Sequence, residues 1–227
     1  MRVLVVDNSD HRLAGGWFRE CLGGCADVVV RDREDVRGWV GSWDGVILTG
    51  SERSVFEDHP WVAKQMSLVK DSYENDLPIL GVCYGHQLIF RALYGKDVLA
   101  RRAVPEVGWR RVQLEQDPVF ADIPLIIYPY VFHHDELARI PTGWRLLASS
   151  GECAIHGARS EVKAVYGLQF HPEITPAVGV DGIRRQGVLL AGYGLDAEEI
   201  IASETPGGRR HYGEVVRRFV LMYCSHG

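Results

Sequence analysis

The sequence predicts an α/β fold: a single doubly wound, mostly parallel sheet flanked by helices, with a smaller antiparallel strand region in the second half. Three observations carry this expectation. Short, continuous apolar runs recur in the first half, each bounded by Gly, Asp or Pro, as in strands buried on both faces. A stretch of helical periodicity separates two of these runs and makes a βαβ unit of them. From Val98 onward the texture changes to strand-like pieces joined by turns.

In chain order, Arg2-Val-Leu-Val-Val-Asp7 is the first strand and Ala26 to Val30 the second. Gly45-Val-Ile-Leu-Thr49 is the third. Trp61 to Glu74 then sets Val62, Met66, Val69 and Tyr73 at helical spacing before a fourth strand, Pro78 to Val82. His86 to Tyr94 is helical, with Leu88, Ile89, Ala92 and Leu93 on one side and Gly95 as its stop. Arg110 to Leu114, Leu125 to Tyr130, Trp144 to Ser149 and Val165 to Phe170 read as strands of a more meander-like half. The last segment, Tyr212 to Cys224, puts Val215, Val216, Phe219, Val220 and Tyr223 on one helical face, and the Gly-rich Thr205 to Arg210 before it reads as a loop.

A length of 227 residues fits one domain, 1–227, better than two. Hydrophobic residues make up 46% and charged residues 24%, ordinary usage that excludes disordered, collagenous and fibrous classes. A net charge of −5 with no long run of one sign argues against nucleic acid or an anionic membrane as partner and favours a small, roughly neutral one. No apolar stretch approaches a membrane span, and no signal peptide is read at Met1-Arg2. Five irregularly spaced cysteines (Cys21, Cys25, Cys83, Cys153, Cys224) suggest neither a disulfide framework nor a paired zinc motif, so a reducing cytoplasm is the expected location.

The fourth strand runs into Gly81-Val-Cys83-Tyr-Gly85 and then a helix. Glycines two residues either side give clearance for a nucleophile on a strained strand-to-helix turn, and the helix N-terminus favours thiolate over thiol. The pentapeptide alone fits a buried structural cysteine equally well. A second signal is Gln169-Phe-His171-Pro-Glu173, where a strand ends in a histidine with a glutamate two residues on. On extended backbone the Glu173 carboxylate leans the same way as the His171 ring, fixing its tautomer and stabilising its protonated form. Cys83 and His171 are both expected at carboxyl ends of strands in one sheet, where they can meet.

Gly81-Val-Cys-Tyr-Gly-His-Gln-Leu88 and Gln169-Phe-His-Pro-Glu173 resemble the two signature motifs of the class I (triad) glutamine amidotransferases, in particular stand-alone members similar to the glutaminase domain of GMP synthetase. The similarity runs from Val3 to Glu173. Asp44 to Ser51 resembles the family's third strand and oxyanion loop, and Asp117 to Phe120 and His133 to Leu137 resemble further landmarks. The resemblance implies a flavodoxin-like fold and hydrolysis of the γ-amide of glutamine through a γ-glutamyl thioester on Cys83, with His171 as acid and base and Glu173 behind it. It implies backbone donors to the oxyanion from Tyr84 and from Gly50 or Ser51, and a glutamyl site near Gln87, His134 and Asp135. Many relatives carry Gly-Gly-Pro where this chain has Thr49-Gly50-Ser51, which leaves open which of Gly50 and Ser51 donates. Spacing alone equally allows Gln87 to be a helix-facing glutamine and His134-Asp135 a structural pair.

The remaining candidates carry no chemistry in this reading. Cys21 and Cys25 lie at the end of an expected helix, Cys153-x-x-His156 is too short for a metal site by itself, and no acidic cluster completes His133, His134 and Asp135. Gly192-Tyr-Gly194 lacks the third glycine of a dinucleotide fingerprint. No metal and no cofactor are expected. Three functions follow: a glutaminase supplying ammonia to a separate synthetase, since the chain has no Walker loop or spare length for one; a stand-alone γ-glutamyl hydrolase or peptidase acting on γ-glutamyl metabolites; and a non-catalytic regulatory module on the same fold.

Overall fold

The structure, a computed structural model, describes residues 1–36, 41–203, 205, 206 and 208–224. The first half runs β1 (Arg2–Asp7), α1 (Ala14–Leu22), β2 (Asp27–Asp32), β3 (Gly45–Leu48), α2 (Pro60–Glu74), β4 (Ile79–Val82) and α3 (Tyr84–Tyr94). The second adds strands β5 (Leu99–Trp109), β6 (Val112–Leu114), β7 (Ile126–Ile127), β8 (Tyr130–Leu137), β9 (Trp144–Ser149), β10 (Gly157–Ser160) and β11 (Val165–Leu168). Helices α4 (Pro176–Arg185), α5 (Gly187–Gly192), α6 (Ala197–Ala202) and α7 (Gly213–Tyr223) follow.

The alternation along β1 sets the layers. Val3 and Val5 pack with Phe18 and Leu22 of α1 and with Val215, Val216, Phe219 and Val220 of α7. Leu4 and Val6 pack on the opposite face with Trp61, Val62, Leu68 and Val69 of α2 and Leu88 and Ile89 of α3. A strand with period-2 side chains can be apolar throughout only when both faces are covered, and here they are. The sheet order is β2-β1-β3-β4-β11-β10-β9-β6-β7, parallel from β2 to β11 and antiparallel beyond. The α/β expectation with an antiparallel second half therefore holds.

The second half departs from the expected strands in three places. Leu125 to Tyr130 is not one strand: Ile126–Ile127 edges the main sheet, Pro129 removes a ladder donor, and Tyr130 opens β8 in a separate sheet. That separate sheet is the antiparallel pair β5–β8, whose register shifts between Arg101 and Glu106 around Pro105, which is why alternation there is hard to read. Third, residues 176–202 form three helices. Thr175 caps α4 by accepting from Val178 N, and Pro176 occupies the first turn, but Gly179, Gly182 and Gly187 obscure the periodicity. Gly179 is needed there because a Cβ would lie 2.9 Å from both Trp109 and Tyr130. These helices rest on a third cluster, Val107, Trp109, Tyr130, Ile174, Ile183 and Leu190. The Thr205 to Arg210 loop is irregular as expected, Gly207 lying outside the described residues.

Candidate active site

Strands β4 and β11 pair in parallel with Val82 opposite Leu168, so the chain leaves both at the same end of the sheet. One residue past β4 comes Cys83, and three past β11 comes His171. Cys83 N donates to Leu168 O at 2.7 Å, which ties the turn to the neighbouring strand. Cys83 sits at φ 51°, ψ −105°, a conformation that costs an L-residue about 1–3 kcal/mol and persists only when its surroundings impose it. The surroundings do so through the two glycines. A Cβ on Gly81 would lie 2.5 Å from the Gly85 backbone, and one on Gly85 would overlap the Leu48 carbonyl. With α3 beginning at Tyr84, the first-turn N–H groups and the positive end of the helix lie at Cys83.

His171 N donates to Tyr130 O at 2.9 Å, so β8 fixes where β11 delivers the ring. Its Nδ1 is 2.7 Å from Glu173 Oε1, which accepts the Nδ1 proton and leaves Nε2 for the sulfur. Burial alone would lower the imidazole's pKa, but the Glu173 carboxylate, the charge on Cys83 and hydrogen bonds to both hold it up at about 10. The three residues thus form a line: sulfur, imidazole, buried carboxylate. Gly50 touches this line, since a Cβ there would lie 2.8 Å from His171 Cε1 and 3.6 Å from Cys83 Cβ. The glycine is required by the histidine ring.

The loop bearing Gly50 is braced from beneath. Asn8 N donates to Thr49 Oγ1 at 2.8 Å, Asn8 Nδ2 to Thr49 O at 3.2 Å, and the buried Gln65 amide to Asn8 Oδ1 at 2.7 Å. Ser51 Oγ accepts from Arg53 N at 3.1 Å and folds the loop back. Gly85 N donates to Thr49 O at 3.2 Å, joining the loop to the first turn of α3. The Tyr84 backbone lies beside Cys83, whereas its ring is buried against Trp61, 5.9 Å between centroids.

A cavity of about 560 Å³ opens over the sulfur. Cys83, His171, Glu173, Gly50, Ser51, Gln87, His134 and Asp135 all line it. Three of these are already engaged. Gln87 Nε2 donates to Asp135 O at 2.5 Å and Gln169 Oε1 at 3.1 Å, tying α3 to β8. The Asp135 carboxylate accepts from Ser54 Oγ (2.6 Å), Val55 N (3.0 Å) and Arg101 (3.2 Å), so it clamps the loop after Ser51. His134 packs on Tyr193, 4.7 Å between ring centroids. His133, His134 and Asp135 do not converge as a ligand set. His133 turns away toward Glu106 and, with Cys153 and His156, forms a buried cluster of metal-ligating residue types behind β8.

Sequence reading missed much of the remaining wall, including Trp17, Arg53, Arg101, Phe132, Val178 and Arg185. They come from α1, a loop, β5–β8 and α4, and no local motif marks them. All five cysteines are free thiols, and burial pushes those of Cys21 and Cys224 up to about 12 and that of Cys153 higher still. No helix among the described residues is long and apolar enough to cross a membrane.

A model of the family described as glutamine amidotransferase class-I matches residues 24–189. The chain belongs to that family. The glutamine-hydrolyzing GMP synthase subunit of Methanocaldococcus jannaschii is 31% identical over 150 residues, covering 66% of this chain and 74% of that relative. The glutamine-hydrolyzing GMP synthase of Thermotoga maritima is 37% identical over 131 residues, 58% of this chain and 24% of that protein. Against such full-length synthases the match spans about a quarter of their length. The crystal structure of a glutamine amidotransferase from Thermotoga maritima superposes with a TM-score of 0.80 at 18% identity, covering 100% of this chain and 99% of that one, and shares the class I amidotransferase fold.

Proposed function

We propose that the chain hydrolyses the γ-amide of glutamine with a Cys83-His171-Glu173 triad and releases ammonia for a separate synthetase. The observation that carries this reading is Cys83 itself, held at positive φ on a strand-to-helix turn beside a histidine whose other nitrogen meets a buried glutamate. Cys83 thiolate attacks the γ-carbonyl carbon, and the C=O electrons move to oxygen. The oxyanion lies between the Tyr84 N–H and the Gly50-Ser51 turn, where losing one donor costs about 100-fold or more. His171 gives its proton to the leaving nitrogen, ammonia departs, and a γ-glutamyl thioester remains. Water, deprotonated by His171, then attacks the thioester, and glutamate leaves with the thiolate restored. A separate acceptor protein is supported by the M. jannaschii relative, whose name makes it one subunit of its synthase.

The cavity favours a second reading. At about 560 Å³ it lies within the range of about 300–1,000 Å³ that accommodates drug-sized ligands, and Trp17, Phe132, Ile174 and Val178 give it an apolar wall. That suits a γ-glutamyl conjugate with a bulky amine. One experiment tests both readings. Glutamate release is measured from glutamine and from γ-glutamyl amides of increasing amine size, for wild type and Cys83→Ala. A higher kcat/KM for glutamine supports the glutaminase, a higher value for the bulky amides supports the hydrolase, and unchanged turnover in Cys83→Ala refutes both.

A further inference from the structure

We propose that Glu106, His133, Cys153 and His156 form a structural site for a divalent transition metal, with zinc the best match to its donors, behind the strand that walls the catalytic cavity. The four come from three places in the chain: Glu106 on β5, His133 on β8, and Cys153 and His156 in the turn between β9 and β10. Read alone, Cys153-x-x-His156 supplies half a ligand set. The β5–β8 pair supplies the other half.

One ligand atom from each residue lies within 4.8 Å of every other, and the residues are 3%, 4%, 1% and 0% exposed. Glu106 Oε2 is 3.0 Å from His133 Nε2 and 3.4 Å from His156 Nε2. With zinc bonds of about 2.0–2.3 Å, tetrahedral donors stand about 3.3–3.8 Å apart, so the set closes on an ion with movements of about 1 Å. The turn is itself ordered, with Cys153 N donating to Ser150 Oγ at 2.9 Å and His156 N to Ala148 O at 2.8 Å.

Hydrogen-bond accounting favours a cation in this place. His133 Nδ1 is 3.2 Å from Asp135 O, a carbonyl that can only accept, so Nδ1 carries the hydrogen. Nε2 of a neutral ring then presents a lone pair to the Glu106 carboxylate, and two acceptors face each other at 3.0 Å. Glu106 Oε1 and His156 Nδ1, both buried, have no hydrogen-bond partner among the described residues. An ion bound by carboxylate, two imidazoles and thiolate answers the facing lone pairs. Thiolate and imidazole donors in a four-ligand, water-excluded set suit zinc. Binding would release the thiol proton. The Nδ1–H bond to Asp135 O is the outer contact that fixes a metal-binding ring, and the same carbonyl accepts from Gln87. The ion would therefore anchor β8, on which the cavity wall is built.

The test uses the full chain, stripped with a chelator and titrated with cobalt(II) as an optical probe, then with zinc. The expected result is saturation at a single equivalent, a thiolate-to-cobalt charge-transfer band with tetrahedral d–d bands, and displacement by zinc. Cys83→Ser should keep both. Cys153→Ser should lose the charge-transfer band and weaken cobalt binding by more than about 100-fold, beyond the loss typical of removing an outer-shell partner. A folded wild type that binds no stoichiometric cobalt overturns the proposal and leaves a protonated His133–Glu106 pair as the explanation. So does a band that survives in Cys153→Ser and vanishes in Cys83→Ser. The wild-type titration decides without any variant having to fold.

Discussion

Replacing Glu173 with Gln isolates the charge behind His171. A Gln Oε1 can still accept the Nδ1 proton that Glu173 Oε1 accepts at 2.7 Å, so the ring keeps its tautomer. The second oxygen, Oε2, has no hydrogen-bond partner among the described residues, so an amide nitrogen there displaces no existing bond. What disappears is one negative charge beside an imidazolium whose pKa is held at about 10. With charge centres about 4 Å apart and an effective dielectric of about 20, that attraction is about 4 kcal/mol, or about 3 pH units. The sign follows from the direction of the shift. A raised pKa keeps the proton-donating imidazolium present below about pH 10 and loses it as pH rises through that value. Removing the charge brings the loss down toward about pH 7. The assay is kcat/KM for glutamate release across the alkaline range, in wild type and Glu173→Gln, with far-ultraviolet circular dichroism as the folding control. At neutral pH the variant should also turn over about 100- to 10,000-fold more slowly. An alkaline limb that stays where it is in wild type would refute the assignment of Glu173 as the source of the shift.

Three further outcomes are expected. Because Cys83 is held at φ 51°, Cys83→Gly should be more stable than Cys83→Ala by about 1 kcal/mol or more, read as a Tm higher by about 2–4 °C; a lower Tm would show that the turn is unstrained. Gly50→Ala should displace the His171 ring, since its Cβ would come within 2.8 Å of Cε1, and should cut kcat about 100-fold while circular dichroism stays unchanged. Asp135→Ala leaves Ser54 Oγ and Val55 N without their acceptor, so it should cost about 1–3 kcal/mol in denaturant unfolding and speed tryptic cleavage at Arg53. Cleavage at the wild-type rate would show that the clamp is dispensable.

The parallel half of the sheet and the neighbourhood of Cys83 were readable because their determinants are local. β1, β3 and β4 are short apolar runs buried on both faces, and the Cys83 turn needs two glycines within five residues. The His171–Glu173 pair is a contact between residues two apart. The β5–β8 pair was not readable because Pro105 and a register shift break the alternation on which strand recognition depends. Helix α4 was hidden by glycines that Trp109 and Tyr130 require, a demand made by distant residues. Asp135 shows the same limit at the site: it lines the cavity, but its partners Ser54 and Val55 lie some 80 residues away in sequence.

The third apolar cluster separates two jobs. Helices α4 to α6 rest on Val107, Trp109, Tyr130, Ile174, Ile183 and Leu190, apart from the two layers that sandwich the parallel strands. A unit with its own small core can open by local unfolding at a lower free energy than the whole domain. In hydrogen exchange, amides of α4 to α6 should therefore lose protection before those of β4 and α3. The joint is Tyr130, whose ring belongs to the small core and whose carbonyl holds His171. Breathing of these helices can then admit and release ligand while the strands that set the sulfur's geometry stay closed, and mutational drift in them can alter what enters without reshaping the thiol's surroundings.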